Sequence, residues 1–187
     1  GYNSFWMDFG QAGFRIDGEY RTSIIVDPPN GRRPPLTASA RERMARLAAR
    51  ARPNTGTAWW LEDDLSAPGP YDHPEQRPHA ERCLMGFGST AGPPMLPVLY
   101  NNLKRIVQSD DTVMILVEMV HDARIVRMNQ EHVSPEIRTW LGDSVGHWDG
   151  DTLVVDTTNF ADTPSLGQAS RNLHVVERFT RIDADTL

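Results

Sequence analysis

Thr112-Val113-Met114-Ile115-Leu116-Val117 is the most apolar and β-branched run in the chain. Alternation puts Val113, Ile115 and Val117 on one face and Met114 and Leu116 on the other. Apolar side chains on both faces predict a central strand, covered on both sides and extending over residues 112–121. Ser109-Asp110-Asp111 in front of it reads as a turn, and residues 103–108 as the strand before that turn. Residues 123–128 continue the central strand or pair back on it.

Further along, Asp149-Gly150 separates His147-Trp148 from residues 152–160. An Asp-Gly pair between β-rich runs predicts a tight hairpin whose turn residues take positive φ. Residues 173–182 read as the last strand. Between these, Ser134-Pro135-Glu136 has a Ser N-cap and Pro at the first helical position. It predicts a short helix carrying Ile137, Trp140 and Leu141.

Upstream the signals are mixed. Residues 20–27 are β-branched and meet Pro28-Pro29-Asn30-Gly31, which suggests a strand ending in a turn. Thr37 or Ser39 opens a helix, and Ser39 with Glu42 fits a capping box. Ala40, Met44, Leu47, Ala48 and Ala51 share one helical face; Arg41, Arg43, Arg46 and Arg50 lie mostly on the other. Pro53 ends the helix. Residues 53–101 are rich in Pro and Gly and are expected to wrap over a core with little regular structure.

These elements predict a mainly β to α+β fold. It is an antiparallel β-meander or partial barrel of four to six strands, with one main helix and a long wrapping loop. The 187 residues suffice for a single domain. The net charge of −6 argues against nucleic acid as a partner. Lys104 is the only lysine among many arginines, a pattern that reads as base composition in preference to phosphate binding. No apolar run has the length of a membrane span, and no signal peptide is visible. The abrupt ends at Gly1 and Leu187 read as cuts through a longer pattern, so residues 1–187 are expected to be a fragment whose open sheet edge invites association with another chain. Cys83, the only cysteine, is either a buried thiol or a partner for a cysteine elsewhere.

Several stretches together resemble a family of uncharacterised bacterial proteins: Tyr2-Asn3-Ser4-Phe5-Trp6, residues 21–37 (RTSIIVDPPNGRRPPLT), 69–83 (GPYDHPEQRPHAERC), 119–124 (MVHDAR), 140–160 (WLGDSVGHWDGDTLVVDTTNF) and 175–181 (VVERFTR). The resemblance covers nearly the whole chain and carries no function with it. It implies a longer protein with a further Cys-containing segment. Many members look exported, which implies a periplasmic or secreted location. The β-rich half is also loosely similar to lipocalin-type barrels, a likeness of fold alone.

No cofactor motif survives inspection. Residues 86–91 fit G-x-G-x-x-A, but Gly92-Pro93-Pro94 precludes the helix that must follow. Asp72, His73, Glu75 and His79 could ligate a metal, yet Pro74 and Pro78 break their register and a surface loop is the simpler reading. The more informative signal is polar residues in or beside apolar strands. Glu118, His121 and Asp122 follow the most apolar strand, where a carboxylate would be desolvated and suited to proton transfer. His147, near Asp143, and His174 are further acid–base candidates. Glu177 and Asp156 read more simply as solvated cross-strand partners.

Two functions stand open beside a third, purely structural role. One is an enzyme using His and carboxylate acid–base chemistry on a small molecule, with His121, Asp122, Glu118, His147 and His174 as candidates and no cofactor or metal. The other is a non-catalytic module that binds a ligand or a protein chain, including a second copy of itself. Convergence of the five residues on one pocket favours the enzyme, and scatter favours the binder.

Overall fold

The computed structural model describes residues 4–7, 9–10, 12–13, 15–50, 61, 73–77, 79–86, 92–162, 166 and 169–187. The chain divides into two compact units, 1–51 and 52–187.

In the first unit, strands β1 (Arg15–Ile16) and β2 (Glu19–Tyr20) form a small antiparallel hairpin. Helix α1 spans Ala38–Arg50. Thr37 caps it, its Oγ1 accepting the Ala40 N–H at 3.2 Å. Ser39 therefore lies inside the first turn and does not cap it. The strand expected over residues 20–27 is confined to its first residue. Beyond Tyr20 the backbone bonds locally instead, Ile25 N–H to Ser23 Oγ at 3.1 Å. The predicted turn is present, with Gly31 N–H bonded to the Pro28 carbonyl.

In the second unit six strands form one sheet in the order β3-β4-β5-β6-β7-β8, curled into a half-barrel. They are β3 (Lys104–Gln108), β4 (Thr112–Val117), β5 (Ala123–Met128), β6 (Asp143–Asp149), β7 (Thr152–Thr158) and β8 (Val175–Thr180). The fold is mainly β, as expected, but the meander is interrupted once. β5 and β6 pair in parallel, Val126 opposite Ser144 and Met128 opposite Gly146. A parallel pair needs a crossover of a dozen or more residues, and residues 129–142 supply it.

That crossover contains no helix, contrary to the expectation at Ser134. The Ser134 carbonyl accepts the Ile137 N–H, but only a turn forms. Tertiary partners hold the segment in place: Asn159 Nδ2 donates to the Val133 and Ser134 carbonyls, and Thr139 bridges to Phe160. Gly142 closes it with φ +73°; a Cβ there would lie 2.6 Å from the Thr158 carbonyl oxygen. Only glycine fits.

The inner face of the sheet carries the core. Val113, Ile115 and Val117 of β4 pack with Val126, Met128, Leu153 and Val155. The other face of β4 is half-buried, so this strand is central but sealed on one side only. It also ends at Val117 and not at His121. In the β6–β7 hairpin Asp149 pairs with Thr152, so the turn residues are Gly150-Asp151. Gly150 has φ +59° and Asp151 does not share it, which matches a type II′ turn with Gly first.

One ion pair crosses the core face. Arg124 and Glu177 are 2 % and 9 % exposed, with Nη1 2.6 Å from Oε2. Glu177 Oε1 also accepts the Met95 N–H at 2.8 Å. The expectation of a solvated Glu177 is thus corrected: it alternates with Val176 and Arg178 and faces inward opposite Val155. Cys83 is exposed, not a buried thiol. The expected wrapping loop, the G-x-G-x-x-A stretch and Asp72 lie largely outside the described residues. Among the described residues no helix is long and apolar enough to cross a membrane.

Candidate functional site

β4 and β5 are joined by five residues, Glu118-Met119-Val120-His121-Asp122. Val120 and His121 take φ +59° and +57°. A β-branched residue is seldom left-handed, and each such residue costs about 1–2 kcal/mol. The strained pair reverses the chain within one short turn and delivers Asp122 in an extended conformation at the foot of β5. Met119 is buried, while Glu118 and His121 stay exposed.

Asp122 lines a cleft of about 420 Å³. β5 residues 123–125 precede the parallel pairing and have no β6 partner, and they line the cleft. Leu84 and Met85 line it too, as do Trp140 of the crossover, Arg127 of β5 and Asp143 at the start of β6. Trp140 packs against His79 in a tilted arrangement, with ring centroids 5.0 Å apart. Burial, with Arg82 nearby, pushes the His79 imidazole below its ordinary value and favours its neutral form.

The two cleft carboxylates are driven in opposite directions. Burial raises Asp122, only partly offset by the Gly86 N–H that Oδ2 accepts at 3.1 Å. Burial also acts on Asp143, but bonds from His132, the Val133 N–H and Arg127 outweigh it and hold this carboxyl below its usual range. Arg127 Nη2 reaches both oxygens of Asp143, at 2.9 and 3.0 Å.

From Asp143 a chain of polar contacts runs over the outer face of the sheet. His132 Nδ1 lies 2.8 Å from Asp143 Oδ2, and its Nε2 lies 3.1 Å from Asp156 Oδ1. His174 Nε2 lies 3.0 and 2.9 Å from the two oxygens of Asp156. Ionised carboxylates only accept, so His132 makes both bonds only when both ring nitrogens carry hydrogen. His174, 57 % exposed, ends the chain at solvent. Asp156, its side chain 36 % exposed, thus lies between two histidines.

The five residues singled out from sequence do not converge. Asp122 is in the cleft and His174 is at the far end of the polar chain. Glu118 and His121 are exposed on the β4–β5 turn. His147 is exposed on β6, on the outer face with Asp143. Sequence reasoning missed His132 and Arg127. His132 sits in an irregular segment where no periodicity assigns a face; Arg127 follows from alternation along β5. Among the described residues no group of three His, Cys, Asp or Glu side chains is placed to hold a metal.

No family model, curated protein or solved structure matches this chain.

Proposed function

We propose that the β domain binds a small polar organic molecule in the cleft and exchanges a proton with it through Asp122. The observation that carries this reading is the contrast between the two cleft carboxylates: Asp122 accepts the Gly86 N–H, whereas Asp143 is held by Arg127, His132 and the Val133 N–H, and their surroundings push them in opposite directions. Paired titratable groups pushed apart by their surroundings mark acid–base division of labour. Asp122, raised by burial, is the group that gains and loses a proton. Asp143, kept ionised, holds Arg127 at the cleft wall, where its guanidinium can orient a carbonyl or carboxylate. Trp140 supplies an apolar wall. The strained Val120-His121 backbone supports the assignment, since strain of this kind gathers at functional sites.

The test is carbon-bound proton exchange. Small 2-oxo acids in deuterated water, followed by NMR, should exchange faster with the protein present. Asp122→Asn, verified as folded, should lose roughly a hundredfold or more of that rate. An unchanged rate in Asp122→Asn excludes the role.

A second reading, a binding module without turnover, is favoured by the scatter of Glu118, His121 and His147 away from the cleft. It predicts saturable binding in ligand-observed NMR that Trp140→Ala weakens, with no exchange above background.

A further inference from the structure

The inner face of the sheet carries a second concavity, at the opposite end of the strands from the cleft. It has a volume of about 910 Å³, within the size range of small-molecule sites. Its floor is a cross-strand row: Trp148 pairs with Leu153, and Leu153 with Phe179. Ile106 and Ile115, themselves paired, line it from the other side. The chain beyond β8 turns back along it, closed by the Ile182 N–H to the Thr186 carbonyl at 3.0 Å.

The polar groups around this trough select the kind of molecule. Asp151 and Asp185 are exposed carboxylates in its lining. Arg181 is the cation there, but Nε and Nη2 donate to the Asp183 and Ala184 carbonyls at 2.9 and 2.7 Å, directed into its own turn. Two acceptor carboxylates therefore stand against one arginine turned toward backbone. Trp148, in the same lining, adds an indole, the ring that best attracts a cation. We infer that the trough is a binding site for a small hydrophobic amine, its apolar body on the Trp148–Leu153–Phe179 row and its ammonium group near Asp151, Asp185 and the Trp148 indole. This site is independent of the cleft reading, because no cleft residue lines it.

The probes are n-octylammonium, octanol and octanoate, titrated calorimetrically into the full chain at low salt. Octylammonium should bind saturably, ahead of octanol, and octanoate most weakly. The double variant Asp151→Asn/Asp185→Asn changes only exposed side chains. It should weaken octylammonium roughly tenfold, the scale of a cation–aromatic and surface-charge contribution, and leave octanol unchanged. Leu153→Trp, which fills the floor, should abolish binding of all three. The inference is overturned if octanoate binds as tightly as octylammonium, if the double variant binds octylammonium like the parent, or if no probe saturates. It is equally overturned if sedimentation shows a dimer whose dissociation by dilution is needed before any probe binds, since a second copy would then be the occupant.

Discussion

His132 Nδ1 and the Val133 N–H converge on one oxygen of Asp143, at 2.8 and 3.1 Å. This contact fastens the β5–β6 crossover to the first residue of β6. The same imidazole reaches Asp156 on β7, so one side chain joins a loop to two strands. Residues 139–142 of that crossover wall the cleft. The fastening and the candidate site therefore share a segment.

Removing the imidazole tests that fastening. His132→Ala leaves Asp143 and Asp156 without the donor between them, and hydrogen bonds to charged groups contribute about 1.5–3 kcal/mol. Urea denaturation should show a loss of that order. Hydrogen exchange should quicken at the Thr139 and Gly142 amides before the β4 amides respond. Equal effects across the sheet would show that His132 acts globally and does not tie the crossover.

The buried ion pair makes a separate prediction. Glu177→Gln leaves Arg124 charged on the core face, and breaking one side of such a pair costs about 3–5 kcal/mol. Replacing both, as Arg124→Met with Glu177→Leu, should recover much of the loss. A near-neutral Glu177→Gln would mean that the carboxylate is not needed there.

Two glycines with positive φ should differ in tolerance. At Gly150 nothing lies within 4 Å of an added Cβ, so Gly150→Ala meets only the left-handed penalty of about 1–2 kcal/mol. Gly142→Ala meets that penalty and also the Thr158 carbonyl and Thr157 side chain. It should be clearly the worse in thermal unfolding. Equal losses would show that the crossover can yield at Gly142.

The shape of the sheet was legible in the sequence, and its reasons are particular. The β4 run, the Ser109-Asp110-Asp111 turn and the β6–β7 hairpin rest on short-range rules, and each formed. The hairpin register turned on one residue. With Asp149-Gly150 as turn centre, Asp143 would stand directly opposite Asp156, like charge against like charge. With Gly150-Asp151 as centre, Thr158 faces Asp143 and Val145 faces Asp156. The two carboxylates become diagonal neighbours, with room for His132 on both. The parallel β5–β6 pair was not legible, because nothing local distinguishes a crossover from a failed helix; Asn159 and Phe160 decide it from a distance. Asp122 could be singled out because it follows the most apolar strand, but its neighbours in sequence were carried off by the left-handed turn at Val120 and His121.

The opposite displacement of Asp122 and Asp143 fixes the sign of two pH effects on stability. Asp143 is depressed in the fold, so its contribution is present above the ordinary carboxylate range and is lost as pH falls toward its folded value. Asp122 is raised, so its contribution is present at low pH and is lost as pH climbs from the ordinary range to its folded value. Relative to the parent, Asp143→Asn should therefore lose most at neutral pH. Asp122→Asn should gain relative stability as pH rises through that window. Parallel stability–pH curves for the two variants would contradict this assignment.

The central claim is that one cleft holds two carboxyls of opposite character, and site-resolved titration reads it most directly. Carbon-13 shifts of the aspartate carboxyls, assigned through Asp122→Asn and Asp143→Asn, give each midpoint in the folded protein. The account predicts that Asp122 titrates above the ordinary aspartate value of about 3.9 and Asp143 below it, and that a 2-oxo acid bound in the cleft moves the Asp122 midpoint. If both carboxyls titrate together, or Asp122 titrates below Asp143, the cleft has no acid–base division of labour and the proposed function falls with it.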